Sequence, residues 1–314
     1  MSKALVIIKS MGIGDLCILI SNIHAISKKI NKPVKILAQK NTCATAILKY
    51  DRHVDEVIEL DEKKIKGFFS IIQKIKPKYF DRSYIFSDSI RFYLISRLSG
   101  IKENFHYDFF SKRGKNFFKT AKEFSEKVLN TKIDSQSKIY CDKNDIEEAK
   151  KKFNISDITK NIVCGISASG PTKRWDINNY IKLFEDLNSK FKCKFFLAGG
   201  PNDEDLIKKV TSSSIGNICT SFSAMKIAET LPIIGACQYY IGNDTGWGHI
   251  SSGLDLKSLF LFMDSPPSAY GVYSKNISII VPDGETIESC GHNTRGKNKI
   301  SVDKVFHKSL ELMN

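Results

Sequence analysis

Gly242-Asn243-Asp244-Thr245-Gly246-Trp247-Gly248-His249 follows the apolar strand Gln238–Gly242 and opens a helix that runs to Gly253. A strand that turns through small and polar residues straight into a helix is the repeating unit of a parallel α/β sheet. The start of such a helix carries orphan amide N–H groups and the positive end of the macrodipole, both of which favour an anion. Thr245 and the amides of Gly246 and Trp247 are therefore candidates to hold a diphosphate. Asp244 is placed to cap the helix, and His249, one turn on, to face the same pocket. The plainer alternative is an ordinary capped turn.

The same unit recurs on either side. Ile162–Ser167 reads as a strand, followed by the loop Ala168-Ser169-Gly170-Pro171-Thr172-Lys173-Arg174-Trp175 and a helix from Ile177 to Phe191. Lys194–Ala198 is a strand ending in Gly199-Gly200-Pro201-Asn202-Asp203-Glu204-Asp205, with a helix over Glu204–Ser212. Ile218–Cys219 is a brief strand, Ala224–Ile234 a helix and Ser258–Met263 another strand. Val302–Met313 closes the chain as a helix, apolar at 302, 305, 306, 310 and 313.

Towards the N-terminus the alternation repeats: strands at 4–9, 33–38, 54–60 and 79–86, and helices at 16–30, 42–49, 63–76 and 90–98. The apolar run in Met1–Lys9 is too short for a signal peptide and ends at Lys9, so it reads as a first strand. Residues 102–140 interleave Phe105, Tyr107, Phe109, Phe110, Phe117, Phe118 and Phe124 with Lys112, Arg113, Lys115, Lys119, Lys122 and Lys127. They read as helix with an aromatic core face, or as a surface for an acidic acceptor or anionic membrane. The polar segment Asn154–Asn161 is the expected boundary. It gives two Rossmann-like α/β domains, 1–155 and 156–300, with 301–314 a final helix expected to pack back on the first domain. Ligands of such sheets sit at the carboxyl ends of the strands, and the cleft between two such domains is the expected site.

Three further loops carry chemistry. Ser169, Thr172 and Lys173 offer hydroxyls and an ammonium to a pyrophosphate, without the spacing of a Walker A loop. Trp175 reads as core. Asp203 and the acids after it read either as helix capping or as ligands for ribose hydroxyls. In the first loop, Gly12 and Gly14 flank a turn that presents Asp15, and the third glycine of a dinucleotide fingerprint is replaced by Cys17. Asp15 is either a helix-capping acid or a base able to take a proton from a hydroxyl.

The net charge of +14 is unevenly placed: residues 1–155 hold 31 Lys and Arg against 18 Asp and Glu, and residues 156–314 hold 17 against 16. A one-sided basic field attracts nucleic acid, anionic lipid or a phosphorylated substrate, unless it is merely a lysine-rich solvated surface. Eight scattered cysteines with no CxxC pair read as reduced core thiols, and no metal site is implied. Helix-turn-helix, RNA-binding and zinc-finger patterns are lacking, so a nucleic-acid-binding protein is an alternative on charge alone. A nucleotide-binding oxidoreductase is another, weakened by the missing GxGxxG.

Taken together, Met11-Gly12-Ile13-Gly14-Asp15, Arg97-Leu98-Ser99-Gly100, Thr172-Lys173-Arg174-Trp175, Ala198-Gly199-Gly200 with its following acids and Asn243-Asp244-Thr245-Gly246 with His249 resemble glycosyltransferase family 9, the heptosyltransferases of the lipopolysaccharide inner core. The resemblance implies a GT-B fold, two Rossmann-like domains facing each other across a cleft, and inverting, metal-independent sugar transfer without a cofactor. It implies Asp15 as general base with Gly12 and Gly14 on the acceptor side. Ser169, Thr172 and Lys173 would contact phosphate or sugar, Asp203 the ribose, and Asp244, Thr245, Gly246, Trp247 and His249 the donor. The implied donor is an ADP-linked heptose. The implied partner is an anionic lipid-linked or phosphorylated saccharide, met at the cytoplasmic face of a bacterial inner membrane, with no nucleic acid.

Overall fold

The computed structural model describes residues 3–9, 12–60, 67–109, 116–296 and 298–314. The chain divides into two compact units, residues 1–140 and 141–314.

The first unit runs β1 (Ala4–Ile8), α1 (Ile13–Ile30), β2 (Val34–Gln39), α2 (Ala44–Ile47), β3 (Val54–Leu60), α3 (Phe68–Ile75), β4 (Arg82–Phe86), α4 (Ile90–Leu98), β5 (Glu103–His106) and α5 (Phe117–Leu129). Its strands are all parallel, in the order β3-β2-β1-β4-β5. Every residue of β1 is buried, as expected of a central strand covered by helices on both faces. Val6 lies opposite Ile36 on one side and Tyr84 on the other, which fixes the register. Leu5, Ile7, Leu37, Ile85 and Ile95 meet in the core beneath α3 and α4. The left-handed Asn31 (φ 52) ends α1, its N–H donating to the carbonyl of Lys28.

The second unit runs α6 (Lys143–Lys152), β6 (Lys160–Gly165), α7 (Ile177–Lys190), β7 (Cys193–Leu197), α8 (Glu204–Thr211), β8 (Cys219–Ser221), α9 (Ile227–Gly235), β9 (Tyr239–Asn243), α10 (Gly246–Gly253), β10 (Lys257–Leu261), α11 (Pro267–Tyr270), β11 (Ile277–Ile280) and α12 (Val302–Met313). Six parallel strands lie in the order β11-β10-β9-β6-β7-β8. Numbered from β6, this is the Rossmann order 3-2-1-4-5-6 read from the β8 edge. The order reverses at β6 and β9, so their carboxyl ends mark the ligand crevice. In the first unit the reversal falls at β1 and β4, and the loop from β1 leads to Gly12 and Asp15.

Several expectations shift. The last helix packs on its own unit: Val305 and Met313 enter the core with residues of α7 and β10, and the Lys160 ammonium donates to the Met313 carbonyl at 3.1 Å. Helix α6 packs on α9, so the boundary falls at 140/141 rather than 155/156. Within 102–140, Phe105 falls on the short edge strand β5, Tyr107 and Phe109 in the loop after it, and Phe117, Phe118 and Phe124 on α5. Ser10 and Met11 of the first turn, the start of the helix expected from Lys63, and Phe110, Lys112, Arg113 and Lys115 lie outside the described residues. All eight cysteines are free.

Candidate active site

The second unit brings β6 and β9 unusually close at their carboxyl ends. A Cβ on Gly242 would lie 2.5 Å from the Gly165 nitrogen, so only glycine admits this approach. Asn243, wholly buried, ties the two following loops together. Its Oδ1 accepts from the Trp175 amide at 3.1 Å and from the Tyr180 hydroxyl at 2.9 Å, and its Nδ2 donates to the Ser167 carbonyl at 3.2 Å. Sequence reading passed over this residue, although it stands inside the quoted motif. Asn243→Ala would strip buried partners from the Trp175 N–H and the Ser167 carbonyl. At about 1–3 kcal/mol per orphaned group, we expect a loss of roughly 2–6 kcal/mol, read as a lower denaturation midpoint. An unchanged midpoint would contradict this role.

The loop from β6 is held by its polar side chains. The Thr172 hydroxyl donates to Asp264 Oδ2 at 2.5 Å, and the Arg295 amide donates to Asp264 Oδ1 at 3.0 Å. Asp264 is buried just past β10, an acid at the carboxyl end of a strand. That position is the signal by which it was findable. Arg174 donates twice to the Ala168 carbonyl and lies 3.5 Å from Asp203. Asp203 also accepts from the Gly200 amide at 2.9 Å. Thr172 and Asp203 thus spend their side chains on loop structure, and Ser169 stands exposed at the loop's turn. Trp175 is core, its indole N–H bonded to the Ile300 carbonyl.

Lys173 lends its charge to two acids of the second unit. Burial opposes ionisation of Asp244, but the hydrogen bond and charge of His249, the Ser265 hydroxyl and the Lys173 ammonium outweigh it. The Asp244 carboxyl is held below the usual carboxylate range. Asp264 is lowered in the same way, against its own burial, by Thr172, the Arg295 and Asn293 amides and Lys173. One ammonium therefore acts on both carboxylates.

Helix α10 starts beside them. Asp244 accepts from Ser265 Oγ at 2.7 Å and pairs with His249 Nε2 at 3.2 Å, while His249 Nδ1 bonds the Tyr273 hydroxyl at 2.9 Å. Both imidazole nitrogens are thus occupied inside the fold, so His249 orients Asp244 from a buried position. Thr245, half-buried and extended, is the N-cap. The first helical bonds run from the amides of Gly248 and His249 to its carbonyl, leaving Gly246 and Trp247 as the N–H groups ahead of them. A Cβ on Gly248 would come within 2.6 Å of Phe260, so glycine there seats α10 directly on the sheet. The Trp247 ring packs 5.8 Å from Phe222.

In the first unit, Gly12 is the extended N-cap of α1 and Asp15 lies in its first turn. An added Cβ on Gly12 would stand 3.5 Å from Asp15 Oδ2, so the carboxylate leans back over the loop. Gly14 and Asp15 are half-buried. Among the described residues, no group of three or more His, Cys, Asp or Glu side chains is placed to hold a metal ion.

Two Rossmann-type units, one of them with open amides at a helix start and a lysine in a neighbouring strand-end loop, form the kind of scaffold that can receive an anion. Residues 69–299 match the family described as glycosyltransferase family 9 (heptosyltransferase), and the chain belongs to that family. It is accordingly a glycosyltransferase, which sets aside the oxidoreductase and nucleic-acid-binding alternatives. Its fold is similar to that of E. coli ADP-heptose LPS heptosyltransferase II, at 17% identity and TM-score 0.78 over 99% of this chain and 98% of that one. The family 9 glycosyl transferase of Veillonella parvula gives 15% and 0.78 over 99% and 97%. E. coli heptosyltransferase WaaC with ADP gives 15% and 0.74 over 98% and 99%. These likenesses establish the GT-B fold. No curated protein matches the chain in sequence.

Proposed function

We propose that this transferase moves a heptosyl group from an ADP-linked donor to a hydroxyl of an anionic, lipid-linked or phosphorylated saccharide of the lipopolysaccharide-core type. Transfer inverts the anomeric carbon and needs no divalent cation. What supports this reading is the charge of Lys173 acting on Asp244, the residue just ahead of the α10 cap, together with the Gly246 and Trp247 amides that precede the first helical bonds. Asp15 takes the proton of the acceptor hydroxyl. That oxygen forms the new bond to the anomeric carbon from the face opposite the leaving group. The bond from the anomeric carbon to the diphosphate oxygen breaks, and its electron pair stays on the diphosphate. Lys173 and the amides of Gly246 and Trp247 meet that growing charge, the task a metal ion performs in other transferases.

Ser169 and Thr245 supply hydroxyls to the donor. Thr172, Asp203, Asp244 and His249 hold the loops in shape through the bonds described above. The basic surplus of the first half suits the anionic acceptor and a peripheral position on the cytoplasmic face of a bacterial inner membrane. No helix of the described residues is long and apolar enough to cross a membrane.

A thermal-shift series with ADP-heptose and with GDP-, UDP- and dTDP-sugars, in EDTA, tests the donor. ADP-heptose is expected to stabilise most, by about 2.7 kcal/mol at a hundredfold excess over its Kd. A larger shift with another nucleotide, or a shift that requires added Mg²⁺, would overturn the assignment.

A further inference from the structure

Lys173 closes a single tight turn, Pro171–Lys173, whose last amide donates to the Gly170 carbonyl at 3.1 Å. The Lys173 ammonium has no hydrogen-bond or ion-pair partner among the described residues. A lysine stem is long and rotamer-rich, so where its ammonium can reach depends on how firmly the turn beneath it is held. That turn is pinned from both sides. Asn243 takes the Trp175 amide behind it, and Asp264 takes the hydroxyl of Thr172 in its middle.

Asp264 is equipped to hold protein rather than ligand. It is buried, and both of its oxygens are taken: Oδ2 by Thr172 at 2.5 Å and Oδ1 by the Arg295 amide at 3.0 Å, with the Asn293 amide bonded to the same carboxylate. Asn293 and Arg295 both stand in the left-handed region, φ 78 and 50, which is uncommon for residues with a side chain. One carboxylate thus ties the turn after β6 to a loop much later in the chain. Its charge is felt by Lys173. Beside a pocket for a diphosphate such a charge is unfavourable in itself, because it repels the anion. We propose that Asp264 is a positioning residue of the transfer site: through Thr172 it fixes the turn that aims Lys173 at the leaving diphosphate. As such it rests on the donor reading proposed above.

Charge and positioning predict opposite signs. Neutralising a carboxylate beside an anion site strengthens anion binding by Coulomb's law, whereas loosening the turn weakens it. Calorimetry of ADP binding to the full chain in EDTA, with ADP release under saturating donor and acceptor, separates the two. Thr172→Val keeps every charge and removes the tether. Asp264→Asn keeps the size, and its NH2 group cannot accept both the hydroxyl and the amides. Each is expected to weaken ADP roughly threefold to tenfold and to slow kcat about tenfold to a hundredfold. In a Lys173→Ala background neither change should cost anything further, since no ammonium is left to aim; a merely structural role would give the same losses in both backgrounds. Parental values in Thr172→Val, tighter ADP binding or parental kcat in Asp264→Asn, or undiminished losses beside Lys173→Ala would overturn the proposal. If Asp264→Asn fails to fold, as a melting curve shows, Thr172→Val decides alone. A parent chain that binds no ADP, or a Lys173→Ala variant that binds it as the parent does, would strike the donor reading and this inference with it. Parental Thr172→Val beside a weakened Lys173→Ala would strike this inference alone.

Discussion

Asp15→Asn is expected to fold as the parent does and to turn over about 10²–10⁴-fold more slowly, the usual contribution of a positioned base. The substitution keeps size and hydrogen-bonding shape while removing basicity. The structural cost is modest, because Asp15 sits half-buried in the first turn of α1, where such an acid contributes up to about 2 kcal/mol through the macrodipole. A large kinetic effect beside a small shift in melting therefore separates catalysis from folding. ADP release measured under saturating donor and acceptor reads the first quantity, and a melting curve reads the second. Turnover close to the parent would remove Asp15 from the reaction.

Lys173→Ala should cost about 10²–10³ in kcat, the scale of losing one preorganised stabiliser of developing negative charge. It should also change the acid limb of stability. Asp244 and Asp264 have folded carboxyls below their ordinary value, with Lys173 among the causes. Such groups stabilise the fold above the unfolded pKa of about 3.9, and that contribution is lost as pH falls. Without the ammonium both folded values rise, and the contribution shrinks at every pH above that range. A variant with parental kcat and parental acid stability would show that Lys173 is a surface lysine and nothing more.

Much of this arrangement was legible before any coordinates. The alternation of strands and helices announces itself: Val54–Leu60, Ile90–Leu98 and Val302–Met313 fall where the sequence puts them. Strands β5 and β11 are four residues each, too short to show a period, and β5 was absorbed into its aromatic neighbours. The seat of α12 was misjudged because an apolar stripe reveals that a helix is covered, not by what. The site divides along similar lines. Motifs local in sequence placed Lys173, Thr245 and Asp15 at strand ends. Partners remote in sequence did not show: Thr172 meets Asp264 across 92 residues, and His249 is turned inward by Tyr273. Asn243 escaped notice because its work, bridging two loops, exists only once β6 and β9 lie side by side.

The central claim is that the leaving diphosphate is received by protein donors at one switch point. A crystal structure of the ADP complex grown in EDTA tests it most directly. The account places β-phosphate oxygens about 2.7–3.2 Å from the amides of Gly246 and Trp247 and from Lys173 Nζ. A diphosphate seated elsewhere on the second unit, with Lys173 turned away from it, would contradict the account at its root.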